Sequence, residues 1–160
     1  MIAVTGRVAI HSHRQRIAAA FARSAGISDD TELLADQARY LCVLVSGFIE
    51  KSVAEIVLEY TRRSSTPSVQ RFVEKRTAHF TNANAEKVLQ LLGSFDPKWR
   101  QDLEDILVDE YKDAFDSVVS LRQQIAHGGS VGVTYVRIKD YFDAITQVID
   151  YIQDLCIPNT

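Results

Sequence analysis

A long apolar stripe in the first half of the chain sets the strongest limit on its fold. Between residues 31 and 63, apolar side chains recur every three or four positions, which is the repeat of one face of an α-helix. The stripe is Leu34, Ala38, Leu41, Val45, Phe48, Ser52, Ile56 and Tyr60, and it is widened by Cys42, Ile49, Val53 and Val57. A face this broad has to be buried against more than one neighbouring element. The pattern therefore predicts a long helix inside a helical bundle.

Capping residues, prolines and glycines divide the rest of the chain into further helices. The first predicted helix covers residues 10–25 and is ended by Gly26, and the second extends from a cap within 28–31 to about Arg63. The third extends from Thr66-Pro67 to about Phe80, and the fourth from Asn82 or Asn84 to Gly93. A helical run then begins at Asp96-Pro97, with a break near 107–109, and a last helix follows Thr134. Residues 131–136 alternate weakly and are predicted as a loop. We therefore predict one all-α domain over residues 1–160, a bundle of about five to six helices.

Composition limits the class of protein. With 160 residues and 46% apolar residues, the chain is long and apolar enough for one packed core. Cys42 and Cys156 both lie in apolar helical runs, so we expect free core thiols and a reducing cytoplasm rather than a disulfide scaffold. We expect no signal peptide and no membrane span, because the sequence has no suitable apolar segment.

Charge patterning points to one candidate surface for nucleic acid. The formal net charge is −3, so the molecule as a whole does not attract RNA, and binding requires a local basic patch. Basic residues gather around one helix junction, namely Arg62, Arg63, Arg71, Lys75, Arg76 and His79. Arg71, Lys75 and Arg76 share a helix face and are candidates for contact with the RNA backbone. The alternative is an ordinary solvated surface.

Two other charged or titratable pairs are predicted to lie at the surface. His11 and His13 form a His-x-His pair, but no cluster of further ligands accompanies them, so no metal site is expected. Glu55 and Glu59 are like charges four residues apart, which predicts a solvent-exposed face.

An arginine lies within the apolar face of the predicted penultimate long helix. Val118, Val119, Ile125 and Ala126 are three or four residues from Arg122 and share its face. A buried guanidinium without an anion is costly, by several kcal/mol even after relaxation. Either a carboxylate of the fold pairs with Arg122, or the position is held for an anionic ligand.

A histidine ends the same helix. His127 follows Arg122 by five positions, which on a helix is about 140° of rotation and about 7.5 Å of rise, and a long arginine can still reach toward the helix end. Histidine titrates near neutral pH, so beside a fixed cation it suits general acid–base chemistry on a phosphate ester. The arginine would bind the phosphate. Histidine before Gly128-Gly129 is also an ordinary helix cap, which is the structural alternative.

These residues carry a resemblance to a known family. The run from Arg122 to Gly128 resembles the Arg-x4-6-His signature of the HEPN superfamily (higher eukaryotes and prokaryotes nucleotide-binding domains). The segment 47–53, in the long second helix, resembles the corresponding helix of bacterial members in the ribonuclease-like, defence-associated branch. The layout is similar as well, with the signature near the end of the penultimate long helix and one helix after it.

The resemblance implies a metal-independent endoribonuclease without a cofactor, with Arg122 and His127 as the catalytic pair. It also implies a homodimer that brings two signatures into one cleft, a role as a toxin or phage-defence effector, and an antitoxin or defence-system protein as partner. Glu50 and Gln123 are supporting candidates: Glu50 could pair with Arg122, orient His127, or lie exposed beside Lys51. Active members often have Asn, Asp or His where this chain has Gln123.

The superfamily also contains non-catalytic domains, which provides a second hypothesis. On that view the chain is a helical module that binds a protein partner or a nucleotide. Arg122 then anchors a buried carboxylate such as Glu50, and His127 is a helix cap.

Overall fold

A computed structural model describes residues 6–26, 30–129 and 132–159 of the chain. These residues form α1 (Gly6–Ser24), α2 (Thr31–Ser64), α3 (Pro67–Thr77), α4 (Ala85–Phe95), α5 (Pro97–Ile106), α6 (Asp109–Ala126) and α7 (Tyr135–Cys156). Within the described ranges all regular structure is helical, which confirms the predicted all-α class. The seven helices exceed the predicted five to six. The break predicted near residues 107–109 is present at 107 and 108, and it separates α5 from α6.

The long helix α2 is the centre of the bundle. It packs against α1, α3, α6 and α7, as expected from the breadth of its apolar stripe. The stripe is buried from Ala38 to Ile56, with Phe48 and Ile56 fully enclosed, whereas Tyr60 is partly buried and Leu34 remains 36% exposed. Burial of this stripe is the main source of stability for a helix of this length.

Side-chain caps place most of the helix starts where the sequence predicts them. The Asp30 carboxylate accepts hydrogen bonds from the backbone N–H groups of Glu32 and Leu33 at 2.9 and 3.4 Å, and the cap candidates at 28 and 29 lie outside the described residues. Caps of the same kind begin α4 at Asn84, α5 at Asp96 and α7 at Thr134. Thr66 occupies the cap position of α3, but its side chain makes no capping bond.

Three predicted boundaries are wrong. Helix α1 begins at Gly6 rather than at residue 10, and α3 ends at Thr77 rather than near Phe80. Helix α4 continues through Gly93 to Phe95. A Cβ at Gly93 would lie only 3.1 Å from Cδ of Arg100, so this glycine allows α5 to approach closely instead of ending a helix.

Both cysteines are free and buried, as the sequence indicates. Burial raises the pKa of the Cys42 thiol to about 12 and that of Cys156, which is also near Asp96, to about 12. Both groups therefore stay protonated and unreactive. The Cys42 thiol points at the carbonyl oxygen of Val118 at 3.7 Å and so joins α2 to α6.

The predicted exposed face at Glu55 and Glu59 is wrong. Glu59 is only 8% exposed, and its carboxylate accepts hydrogen bonds from Arg62 and Arg63, each at 3.1 Å. Burial alone would raise the pKa of Glu59, but the bonds from the two arginines and from the Gly6 backbone outweigh it and lower the pKa below its ordinary value. Glu55 is half-buried and accepts from Arg62 at 2.9 Å. Arginines of the last helical turn thus offset the repulsion that the spacing predicts.

Replacement of Glu59 with Gln is expected to lower the free energy of unfolding at neutral pH by about 1–3 kcal/mol, because hydrogen bonds to a buried charge are lost. Since the folded-state pKa of Glu59 is lowered, its contribution is complete above the unfolded-state pKa and is lost as pH falls through the folded-state value. Urea denaturation followed by circular dichroism between pH 7 and pH 3 measures this difference. A Glu110→Gln variant, altered at an exposed carboxylate, is the control. A difference that does not shrink in acid would contradict the assignment.

Candidate active site

The loop between α3 and α4 is held against the helix that carries the Arg-His signature. Ala83 is completely buried, and the Asp116 carboxylate of α6 accepts a hydrogen bond from the Ala85 N–H at 3.0 Å. On the other side, the Glu50 carboxylate of α2 accepts from the Asn82 N–H at 2.8 Å. Acids from two different helices therefore hold both ends of residues 82–85.

Asn82 lies at the centre of this arrangement. Its backbone is in the left-handed region, with φ of 53°, which asparagine tolerates better than most residues. Its side-chain Oδ1 accepts a hydrogen bond from Nη1 of Arg122 at 3.4 Å. Asn82 thus connects Glu50, through its backbone, to Arg122, through its amide.

The Arg122 side chain is half-buried at the edge of the α6 apolar face. Val118 and Val119 beneath it are buried, as predicted, but Ala126 is exposed. Among the described residues, no carboxylate oxygen lies within 4.0 Å of its guanidinium. The sequence leaves two alternatives open for Arg122, an acid of the fold or an anionic ligand. Among the described residues, Arg122 has no acidic partner.

Glu50 does not form the ion pair with Arg122 that is one of its predicted roles. Its carboxylate binds the backbone of Asn82 instead, and the side chain is half-buried rather than exposed. The sequence indicates for Asn82 only a role as helix cap, and in the structure Asn84 is the cap of α4. The one feature of the sequence that could have indicated this role is the position of Asn82 in a short connection, where asparagine often adopts a left-handed backbone.

His127 is the C-cap residue of α6 and is exposed. Its backbone N–H donates to the Gln123 carbonyl at 3.1 Å, and the Gly128 N–H donates to Ile125 at 3.1 Å. Gly128 has φ of 73°, a conformation that glycine adopts without strain at a helix end. The cap is built from backbone groups, so the imidazole is not needed for it.

The His127 ring and the Gln123 side chain are both available to a ligand. Within residues 6–26, 30–129 and 132–159, the ring makes no hydrogen bond, ion pair or aromatic contact, and Gln123 is exposed. In the same ranges no hydrogen bond joins the side chains of Arg122 and His127. The two groups share one end of α6 without a hydrogen bond between them.

Four clefts of about 230 to 620 Å³ lie elsewhere on the molecule. One lies between α1, α2 and α3, and a second lies between α1 and α7. The other two are acidic grooves, one along α5, α6 and α7 and one along α6 and α7. Arg122 and His127 line none of these four. The cleft that the resemblance implies would form between two signatures of a dimer, and these four clefts belong to a single chain.

The predicted basic patch is smaller than the sequence suggests. Arg62 and Arg63 are neutralised by Glu55 and Glu59, whereas the α3 cations are exposed and make no ion pair with any described residue. The remaining group, here termed the α3 patch, is Arg71, Lys75 and Arg76. Arg76 lies over the ring of Phe72, 5.8 Å from its centre, and Phe72 is 63% exposed although it fits the apolar pattern. An exposed aromatic ring among cations is a surface that suits stacking on a base.

A model of the RiboL-PSP-HEPN family matches residues 11–157. The chain belongs to the RiboL-PSP-HEPN family. The match includes both the signature on α6 and the Gly47–Val53 segment of α2, so the resemblance stated from these residues is confirmed at the level of the family. No curated protein and no solved structure matches this RiboL-PSP-HEPN chain. In the described part of the chain, no helix is both long and apolar enough to cross a bilayer, and no three His, Cys, Asp or Glu side chains are grouped as metal ligands.

Proposed function

We propose that this RiboL-PSP-HEPN protein is a metal-independent endoribonuclease that acts as a toxin or phage-defence effector. The observation that carries the proposal is the state of Arg122, which is half-buried on the signature helix with only an amide oxygen as partner among the described residues. A guanidinium that no acid neutralises keeps its charge for an anionic ligand, and RNA offers a phosphate at every nucleotide. The exposed His127 ring at the end of the same helix supplies an imidazole that can accept or donate a proton.

The proposed reaction is an internal transfer of the phosphoryl group. The ribose 2′-hydroxyl attacks the adjacent phosphorus while one His127 imidazole accepts its proton. The bond from phosphorus to the 5′-oxygen breaks, and that oxygen takes a proton from a second, protonated imidazole. Arg122 offsets the charge that builds up on the non-bridging oxygens. The products are a 2′,3′-cyclic phosphate and a 5′-hydroxyl.

The second imidazole is the reason for proposing an isologous homodimer. One chain has a single Arg122 and a single His127, and neither lines any of the four clefts described above. A twofold axis beside this end of α6 would bring two copies of each into one groove. Light scattering after size-exclusion chromatography tests this directly, and a monomer at the concentration that gives full activity would argue against it.

The alternative function, a non-catalytic binding module, is supported by the connection from Arg122 through Asn82 to Glu50. On this view Arg122 positions the loop before α4, and His127 is only the residue that ends α6, with no catalytic role. The two proposals differ in cells: a ribonuclease toxin stunts its expression host, and Arg122→Ala or His127→Ala relieves the effect. A non-catalytic module does not slow growth of the host, whether it is expressed as the wild type, as Arg122→Ala or as His127→Ala. An antitoxin or defence-system protein that restrains the wild type is the proposed partner.

The test of the proposed function is cleavage of RNA by the purified protein in excess chelator. We expect products with 2′,3′-cyclic phosphate and 5′-hydroxyl ends, and no cleavage of a DNA strand with the same sequence, since DNA lacks the attacking hydroxyl. The His127→Ala protein, purified in parallel, excludes a contaminating nuclease. Loss of cleavage in chelator, or cleavage of the DNA strand, would contradict the mechanism.

Neutralising the α3 patch is expected to weaken RNA binding and its dependence on salt. In single strands each phosphate contact contributes about 0.7 to the slope of log affinity against log salt, so replacing Arg71, Lys75 and Arg76 with Gln should reduce the slope by about 2. Cleavage at saturating RNA should change little, because these residues do not touch the reacting atoms. Fluorescence anisotropy with a 2′-O-methyl RNA, which cannot be cleaved, gives the slope. Lys98→Gln, a change at an exposed cation on α5, is the control, and an equal slope in both variants would exclude the patch.

A further inference from the structure

A cleft of about 470 Å³ lies between α1, α2 and α3, apart from the signature. Its polar lining includes His13 and Arg16 from α1, Lys51 and Ser52 from α2, and Glu74 from α3. The rest of the wall is mostly apolar, with Ala9, Ile10, Ala54, Leu58 and Ala78. The cleft therefore has room for an organic molecule and a charged end to orient it.

Two cations of this cleft, Arg16 and Lys51, make no ion pair with a described residue. Within residues 6–26, 30–129 and 132–159, neither Arg16 nor Lys51 forms an ion pair or a side-chain hydrogen bond. Glu55 also lines the cleft, but its carboxylate is engaged by Arg62 at 2.9 Å. Glu74 is the remaining acid of the lining, and it makes no ion pair with a described residue.

The charges of Arg16 and Lys51 also influence the pKa of His13, which lines the same cleft. Burial first, and then the charges of Lys51 and Arg16, lower the pKa of His13 from its usual 6.5. Its ring is half-buried with an edge-on contact to Phe48, the ring centres being 5.4 Å apart. The His13 ring thus offers hydrogen-bonding nitrogens beside two positive charges.

A buried hydroxyl in the lining also lacks a partner. Ser52 is 1% exposed, and its Oγ has no hydrogen bond among the described residues. A helical serine can bond the carbonyl four residues earlier, so an orphan hydroxyl at this depth calls for a ligand or an ordered water. This observation is independent of the charges.

We infer that the cleft binds a phosphate group. The two free cations outnumber Glu74, the one unpaired acid of the lining, and each can bond a different oxygen of a phosphate. The His13 imidazole and the unpartnered Ser52 hydroxyl also line the cleft and add hydrogen-bonding groups. The phosphate belongs either to a small phosphorylated molecule, whose body lies on the apolar wall, or to a strand of RNA.

The test is a titration of the full-length protein, followed through the His13 ring signals in NMR spectra. The probes are inorganic phosphate, uridine 5′-monophosphate and a 2′-O-methyl RNA oligonucleotide. We expect saturable shifts with inorganic phosphate at a dissociation constant on the order of 1 mM. Tighter binding of the monophosphate identifies a small-molecule site, and tighter binding of the oligonucleotide identifies an RNA subsite.

Variants decide whether the cleft is responsible. Replacing Arg16 and Lys51 with Gln should weaken phosphate binding by at least about tenfold, because both charges are lost. Both side chains are exposed, so the variant should fold normally. Glu74→Gln, which removes the opposing acid, should strengthen binding, and His127→Ala should leave it unchanged even if RNA cleavage is absent. Failure of His13 to respond to any probe, or an equal response in the double variant, would overturn the inference.

Discussion

Replacing His127 with Ala is expected to reduce RNA cleavage by about 10²–10⁴-fold, the range typical of a lost general acid or base. The fold should not change, because the ring is exposed and the cap of α6 is made by backbone N–H groups. Thermal denaturation by circular dichroism should give the same midpoint as the wild type, and size-exclusion chromatography the same assembly. The variant thus separates chemistry from structure.

The rate is best measured with a short RNA of defined sequence under single-turnover conditions, so that product release does not mask the loss. His11→Ala is the matched control, since His11 is also an exposed helical histidine and lies on α1. Wild-type activity in His127→Ala, or the same loss in the control, would remove His127 from the mechanism.

Replacing Arg122 with Ala is expected to reduce cleavage by about 10²–10³-fold, as for the loss of one group that stabilises transition-state charge. Arg122→Lys should recover only part of this rate, because an ammonium keeps the charge but not the paired geometry of a guanidinium. The alternative view of Arg122 as a structural anchor predicts a different ranking. On that view the wild type does not cleave RNA. Arg122→Ala then changes only stability, and the variant unfolds at a lower denaturant concentration.

Asn82 provides a sharper test of the same arginine. Asn82→Asp places a carboxylate where Oδ1 now accepts from Arg122, so it should neutralise the guanidinium and reduce cleavage without loosening the loop. Asn82→Gly keeps the left-handed backbone and removes only the amide, so its activity should stay within a few-fold of the wild type. Equal activity in the Asp and Gly variants would show that the free charge of Arg122 is not what matters.

Much of the fold follows from signals that act within a few residues. Asp30 and Thr134 begin α2 and α7 as caps, and Pro67 and Pro97 lie in first turns, because backbone groups at a helix start need local partners. The apolar stripe of α2 likewise predicts its central position. Arg122 and His127 are five residues apart, so the sequence places both at one end of a single helix and makes them candidates to act together.

The surroundings of those two residues depend on contacts that spacing does not reveal. Asn82 and Arg122 are 40 residues apart, and only the packing of the α3–α4 loop against α6 brings their side chains together. Local charge repulsion predicts an exposed Glu59, but packing against α1 buries it beside two arginines. The sequence by itself thus determined the helices and the residues that they carry. Tertiary structure decided which charges are neutralised and which stay free, because that outcome depends on distances between helices and not along them.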